Sequence, residues 1–185
     1  MRAPAVPTTM DGMLTITRRP CSTRLLWLIP LLALAGCGGG EPVTKQSIAQ
    51  ARKVWARARI DDYDLDWTSS GTNNAYYHVI VRDGRVRRLE QVLPDGRTVE
   101  LHPGKPEYFG VDGLFLTMAE EHAQLETDRP FGQAKGSKAV LLFTPDPKYG
   151  YPQSYRRDVV GAILPVAIDV VRFVPNPPQS QPTLP

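Results

Sequence analysis

The stretch Asp62-Tyr63-Asp64-Leu65-Asp66-Trp67, with Tyr76 to Arg82 and the Asp83-Gly84 pair behind it, decides the fold. Its first six residues alternate acidic and apolar without a break. Successive side chains of a strand point to opposite faces, so this period predicts a half-buried strand with Tyr63, Leu65 and Trp67 inward. The carboxylates of Asp62, Asp64 and Asp66 then form a solvated row, about 6–7 Å apart. Gly71 to Asn74 supply a turn, and residues 76–82 a second strand rich in Tyr, Val and Ile. Asp83-Gly84 is a two-residue hairpin signal, because both residue types tolerate the positive φ that such a turn needs. A third strand follows over 86–92, Pro94-Asp95-Gly96 turns again, and residues 98–101 pair as a fourth. The stretch reads as a meander.

Working outward, Ile48, Ala51, Val54, Trp55 and Ala58 recur at helical spacing upstream, with Lys45, Arg52, Lys53, Arg57 and Arg59 on the other faces. This predicts an amphipathic helix over 45–59 with a basic exterior, capped by Thr44. Downstream, Asp112 starts a second helix running to residue 126, with Leu114, Phe115, Met118, His122 and Leu125 on or near one face. Residues 139–143, 154–158 and 166–174 read as further strands, and Tyr149-Gly150-Tyr151-Pro152 as a loop. Helix, meander, helix, strands is the order of an α+β domain. The expectation is one domain over 44–174, an antiparallel meander sheet with two amphipathic helices on one face.

The chain has 185 residues, one domain's length or slightly more. Its two cysteines exclude a disulfide-dense scaffold. No apolar run reaches the roughly 18–20 residues of a spanning helix, which excludes a polytopic membrane protein. Prolines crowd the last eleven residues, so 175–185 reads as a disordered or polyproline-like tail.

Arg18, Arg19 and Arg24 precede a twelve-residue apolar run, Leu25 to Gly36. A basic segment followed by an apolar core of that length is a secretory signal. The run ends Leu34-Ala35-Gly36-Cys37, which resembles the lipobox of bacterial lipoproteins. The resemblance implies a signal peptide over 1–36, cleavage before Cys37, and a diacylglyceryl group on the Cys37 sulfur. It also implies an extracytoplasmic protein held to the membrane through that lipid. Enterobacterial lipoproteins kept in the inner membrane carry Asp where this chain has Gly38, so the resemblance favours an outer-membrane or periplasm-facing place in a Gram-negative envelope. Residues 37–43, with Gly38-Gly39-Gly40 and Glu41-Pro42, read as a lipidated cysteine and flexible tether.

Removal of the leader changes the charge. It carries four arginines against Asp11, so of the chain's 22 basic and 19 acidic residues, 18 of each remain from Cys37 onward. The overall +3 is therefore no signal for nucleic acid, and no nucleic-acid partner is expected. Cys37 is then the mature chain's one cysteine, leaving no disulfide and no cysteine nucleophile.

A second resemblance rests on Trp55, Asp62-Tyr63, Val81-Arg82-Asp83-Gly84 and Asp146-Pro147-Lys148-Tyr149-Gly150-Tyr151-Pro152. Across residues 50–174 these pieces are similar to an uncharacterised family of small exported bacterial proteins. Members often carry extra cysteines in the early strands, and this chain has none. The family implies a fold and a compartment, with no activity attached.

The candidate chemistry is sparse. The run Asp61, Asp62, Asp64, Asp66 invites a calcium reading, but counting from Asp62 puts Trp67 and Asn73 where an EF-hand needs Gly and Glu. His78, His102 and His122 lie 24 and 20 residues apart, without metal-ligand spacing, and read as surface or boundary histidines. No nucleophile elbow, phosphate loop or dinucleotide fingerprint occurs. No catalytic residue, metal or cofactor is assigned. Arg85, Arg87 and Arg88, with Arg82, crowd one hairpin and offer a surface to anionic headgroups or an acidic partner. Tyr149 and Tyr151 make the loop 146–152 the other candidate recognition surface, against a packed turn closing the sheet. The leading expectation is a non-enzymatic envelope module that binds a protein or small ligand. The alternative is a small hydrolase or inhibitor-like module with a convergent site. An aromatic patch favours the first, and His, Asp and Tyr side chains meeting in one cleft favour the second.

Overall fold

The computed structural model describes residues 39–71, 74–162 and 165–176. Cys37, the leader and the tail from residue 177 lie outside the described residues. The chain forms β1 (Glu41–Pro42), α1 (Lys45–Ala58), β2 (Tyr63–Ser70), β3 (Ala75–Arg82), β4 (Arg85–Val92), β5 (Thr98–Glu100), α2 (Val111–Gln124), β6 (Ala139–Pro145), β7 (Pro152–Val159) and β8 (Val166–Pro175). A 3-10 turn, Pro106–Phe109, leads into α2.

The eight strands among the described residues belong to one antiparallel sheet in the order β1-β6-β7-β8-β2-β3-β4-β5. The fold is α+β, as the element order predicts. Two meanders, β2 to β5 and β6 to β8, meet where β8 pairs with β2. Ile48, Ala51 and Trp55 of α1 join Leu114, Phe115 and Met118 of α2 in one buried cluster. Leu65, Val79, Phe143 and Tyr155 of the sheet complete it. Both helices therefore cover the same face, and among the described residues the other face carries no helix.

The local signals act as read. Thr44 caps α1 in a reciprocal box, its hydroxyl accepting from the Ser47 amide and the Ser47 hydroxyl from the Thr44 amide, each at 2.9 Å. Asp83 (φ +52°) and Gly84 (φ +67°) form the β3–β4 turn. At β8 the register slips opposite Asp66/Trp67, leaving Val171 as an extra residue that is 54% exposed. The bulge resets the alternation so that Ile168, Val170 and Phe173 all reach the core.

Four expectations are corrected. The tether is shorter than 37–43, because Glu41–Pro42 pairs with Leu142 and Phe143 and Val43 is buried. The sheet runs one residue into the proline-rich tail, through Pro175. Val54, placed with the apolar face of α1, is 39% exposed. The aspartate row is not solvated: Asp66 is 7% exposed, and the Asp64 side chain is largely covered with Arg82 2.9 Å away. Alternation identified the face correctly. It could not show that long side chains on β3 and β8 fold over the short carboxylates.

Candidate functional site

The arrangement on the helix-covered face begins with β2 and β3. Trp67 and Tyr77 are paired residues on these strands, and both point toward the 3-10 turn. Phe109 from that turn completes a three-ring cluster. Its centroids lie 4.5 Å (Trp67–Tyr77), 5.2 Å (Tyr77–Phe109) and 5.9 Å (Trp67–Phe109) apart. The Trp67 indole Nε1 donates to the Phe109 carbonyl at 3.1 Å, which fixes the largest ring. These rings, with Leu114, Thr117 and Ile168, line an open cleft of about 370 Å³ at the β2 end of α2. That size and an apolar, aromatic lining with a few polar groups are the ordinary character of a small-molecule site.

The cleft's polar rim is already engaged. Arg157 donates to Glu121 at 2.6 Å and lies 4.5 Å over the Phe131 ring. Tyr155, buried, donates its hydroxyl to the same carboxylate. Burial first, and then the Glu121 charge, push the Tyr155 phenol well above its ordinary range. Tyr108 donates to Glu120 at 2.7 Å, and that bond raises its phenol. The cleft therefore presents ring faces and small hydroxyls, with the Arg157 charge balanced in place.

On the helix-free face the structure brings together residues that the sequence left apart. Asp66 stands opposite His78 across β2 and β3 and opposite Arg172 across β2 and β8. Its carboxylate lies 2.5 Å from His78 Nδ1, accepts the Tyr76 hydroxyl at 3.3 Å and accepts from Arg172 at 3.4 Å. Burial, and then the Asp66 charge, raise the Tyr76 phenol. Glu90 faces His78 from β4 and is held by Arg88 at 2.6 Å. A period-2 pattern places one strand's residues on a face, but register between strands decides which of them meet. Register was the missing signal.

His, Asp and Tyr thus converge, but on an open sheet face, and neither Asp66 nor His78 lines the aromatic cleft. His78 is no plain surface histidine. Its Nδ1 is engaged by a buried carboxylate, which fixes the ring. His102 is exposed and His122 half-buried, and neither joins the cluster. No metal-ligating group of three occurs among the described residues.

The two sequence-derived surfaces fare differently. Arg85, Arg87 and Arg88 are exposed at the hairpin, as expected, but Arg87 is paired with Asp83 at 2.8 Å and Arg88 with Glu90. The tyrosine loop is corrected. Tyr151 is 7% exposed and packs on Phe173 with centroids 4.6 Å apart, and half-buried Tyr149 meets the same ring at 5.6 Å. Burial, then the Asp146 charge, push the Tyr151 phenol up to about 12. Gly150 (φ +78°) lets the turn close onto α1, since a Cβ there would lie 2.6 Å from the Ala51 carbonyl. The loop is a packed turn, and its aromatic rings are core. Neither a protein-family model nor a curated protein sequence matches this chain.

Proposed function

We propose that this chain is a lipid-anchored, extracytoplasmic envelope protein whose α+β domain binds a small, mostly apolar ligand in the Trp67–Tyr77–Phe109 cleft. The lipobox-like Leu34-Ala35-Gly36-Cys37 supports the anchor. The observation that carries the binding reading is the three-ring floor of an open cavity whose one lining cation is already paired. A neutral flat molecule gains stacking and apolar burial there without leaving a charge uncompensated.

The test is retention of a ligand through purification from native membranes, read by native mass spectrometry. Thr117→Trp fills the cleft from α2 and is expected to abolish retention while the fold persists. Absence of any bound small molecule in the wild type, or equal retention by Thr117→Trp, would refute the binding reading. The anchor is tested separately by metabolic labelling with palmitate, which Cys37→Ala is expected to abolish together with membrane association.

One observation favours a second reading, a convergent hydrolytic site. The Asp66–His78 contact fixes the imidazole through Nδ1, as a general base requires, and the His78 side chain is 26% exposed. The partner of His78 on its Nδ1 side is a carboxylate, so the nucleophile in this reading is water. Turnover of a chromogenic ester that disappears in His78→Gln would support this reading over the first.

A further inference from the structure

We infer that α1 is the membrane-facing surface of the domain, its exposed cationic stripe resting on anionic phospholipid. The inference rests on the lipid anchoring proposed above. Its first support is charge. α1 and its cap residue Arg59 hold Lys45, Arg52, Lys53, Arg57 and Arg59, and no Asp or Glu. On the sheet, Arg82, Arg87, Arg88, Arg156, Arg157 and Arg172 each meet a carboxylate, whereas Arg85 at the hairpin tip has no ion-pair partner among the described residues. On α1, Lys45 reaches Glu126 and Arg52 lies over the Phe115 ring. Lys53, Arg57 and Arg59 are exposed and have no ion-pair partner among the described residues. Gln46, Gln50, Lys53 and Arg57 follow one another at helical spacing, so these charges stand along one outward stripe.

The second support is the path of the chain. β1 is fixed on β6, and Gly40 lies against the Phe143 carbonyl and Thr144, so the chain joins the domain at the β6–β7 end of the sheet. The β6–β7 turn at that end lies directly on α1, with Gly150 against Ala51, Val54 and Trp55. Lys148 on the turn is exposed and adds a cation to the same corner. From Cys37 to Glu41 an extended backbone reaches about 14 Å. The Debye length at physiological salt is about 8 Å, so this corner cannot leave the electrostatic reach of the headgroups by much. An uncompensated basic helix beside a short tether fits a negatively charged bilayer, whose attraction strengthens binding about fivefold for each Lys or Arg at the surface.

The experiment places a nitrobenzoxadiazole label on Ala56→Cys in the mature, lipidated protein, from which the leader and its Cys21 have been removed. Ala56 is exposed on α1, and lipid blocks Cys37. The protein is reconstituted into vesicles of phosphatidylcholine alone or with phosphatidylglycerol. The expected result is a blue-shifted emission on the anionic vesicles only, reversed by high salt. The shift should be absent for a label at Thr98→Cys on β5, away from the tether. It should also vanish in Lys53→Gln/Arg57→Gln/Arg59→Gln, for which the loss of contact is roughly a hundredfold. Flotation with the neutral vesicles reports the anchor independently. Protein that fails to float there refutes the anchoring reading and this inference with it. Protein that floats on both vesicle types with identical emission overturns the docking surface alone. Burial of the label only in native envelopes overturns it in favour of an acidic protein partner.

Discussion

Tyr63 ties the sheet to α2, and its removal tests that link at two pH values. Its ring is 4% exposed, and its hydroxyl accepts the Val111 amide at 2.9 Å, the first residue of a helix whose Gly110 cap offers no side chain. Tyr63→Phe keeps the ring contacts with Trp55 and Phe173 and leaves that buried amide without an acceptor. An unsatisfied buried donor costs about 1–3 kcal/mol, so the variant should be less stable by that amount at pH 7. Burial pushes the Tyr63 phenol up to about 12, with the Val111 amide pulling it down and the Asp112 charge adding to the rise. The group ionises near 10 in the unfolded chain and near 12 in the folded one, so the unfolded state holds fewer protons between those values. Stability is therefore complete below pH 10 and falls as pH rises from 10 to 12, by about 1.4 kcal/mol per unit from this residue. Phe cannot ionise, so the gap between variant and wild type should narrow by about 1.4 kcal/mol at pH 11. Urea unfolding followed by tryptophan fluorescence at both pH values measures this. A variant as stable as wild type at pH 7, or a gap that does not change with pH, would refute the reasoning.

Two other substitutions test the packing around the candidate sites. Gly150→Ala puts a Cβ against the Ala51 carbonyl and Val54 at a φ of +78°, and should cost about 2–4 kcal/mol in chemical denaturation. Asp66→Ala removes the shared acceptor of Tyr76, His78 and Arg172 and should cost about 2–3 kcal/mol by the same assay. If Asp66→Ala left stability unchanged, the open-face cluster would be serving something other than the fold.

The sequence alone determined which segments are helix or strand, β1 apart, and which way most of them face. Alternation at 62–67, the Asp83-Gly84 turn and the Thr44 cap are local signals, each acting within a few residues through backbone geometry and short-range hydrogen bonds. The observed boundaries of α1 and of the first three predicted strands therefore fall within a residue or three of the reading. Only the tertiary structure decided what lies beside what. The joining of β8 to β2 places Arg172 and His78 on either side of Asp66, from positions 106 and 12 residues away in the chain, and so buries a carboxylate that alternation leaves in water. The same pairing gathers Phe173 against Tyr149 and Tyr151, turning a loop that reads as a surface into core. The aromatic cleft likewise needs a 3-10 turn and a helix 42 to 50 residues beyond Trp67 to close its floor and wall. Local propensity carries no information about such contacts, because strand order and register are set by the burial of the whole sheet.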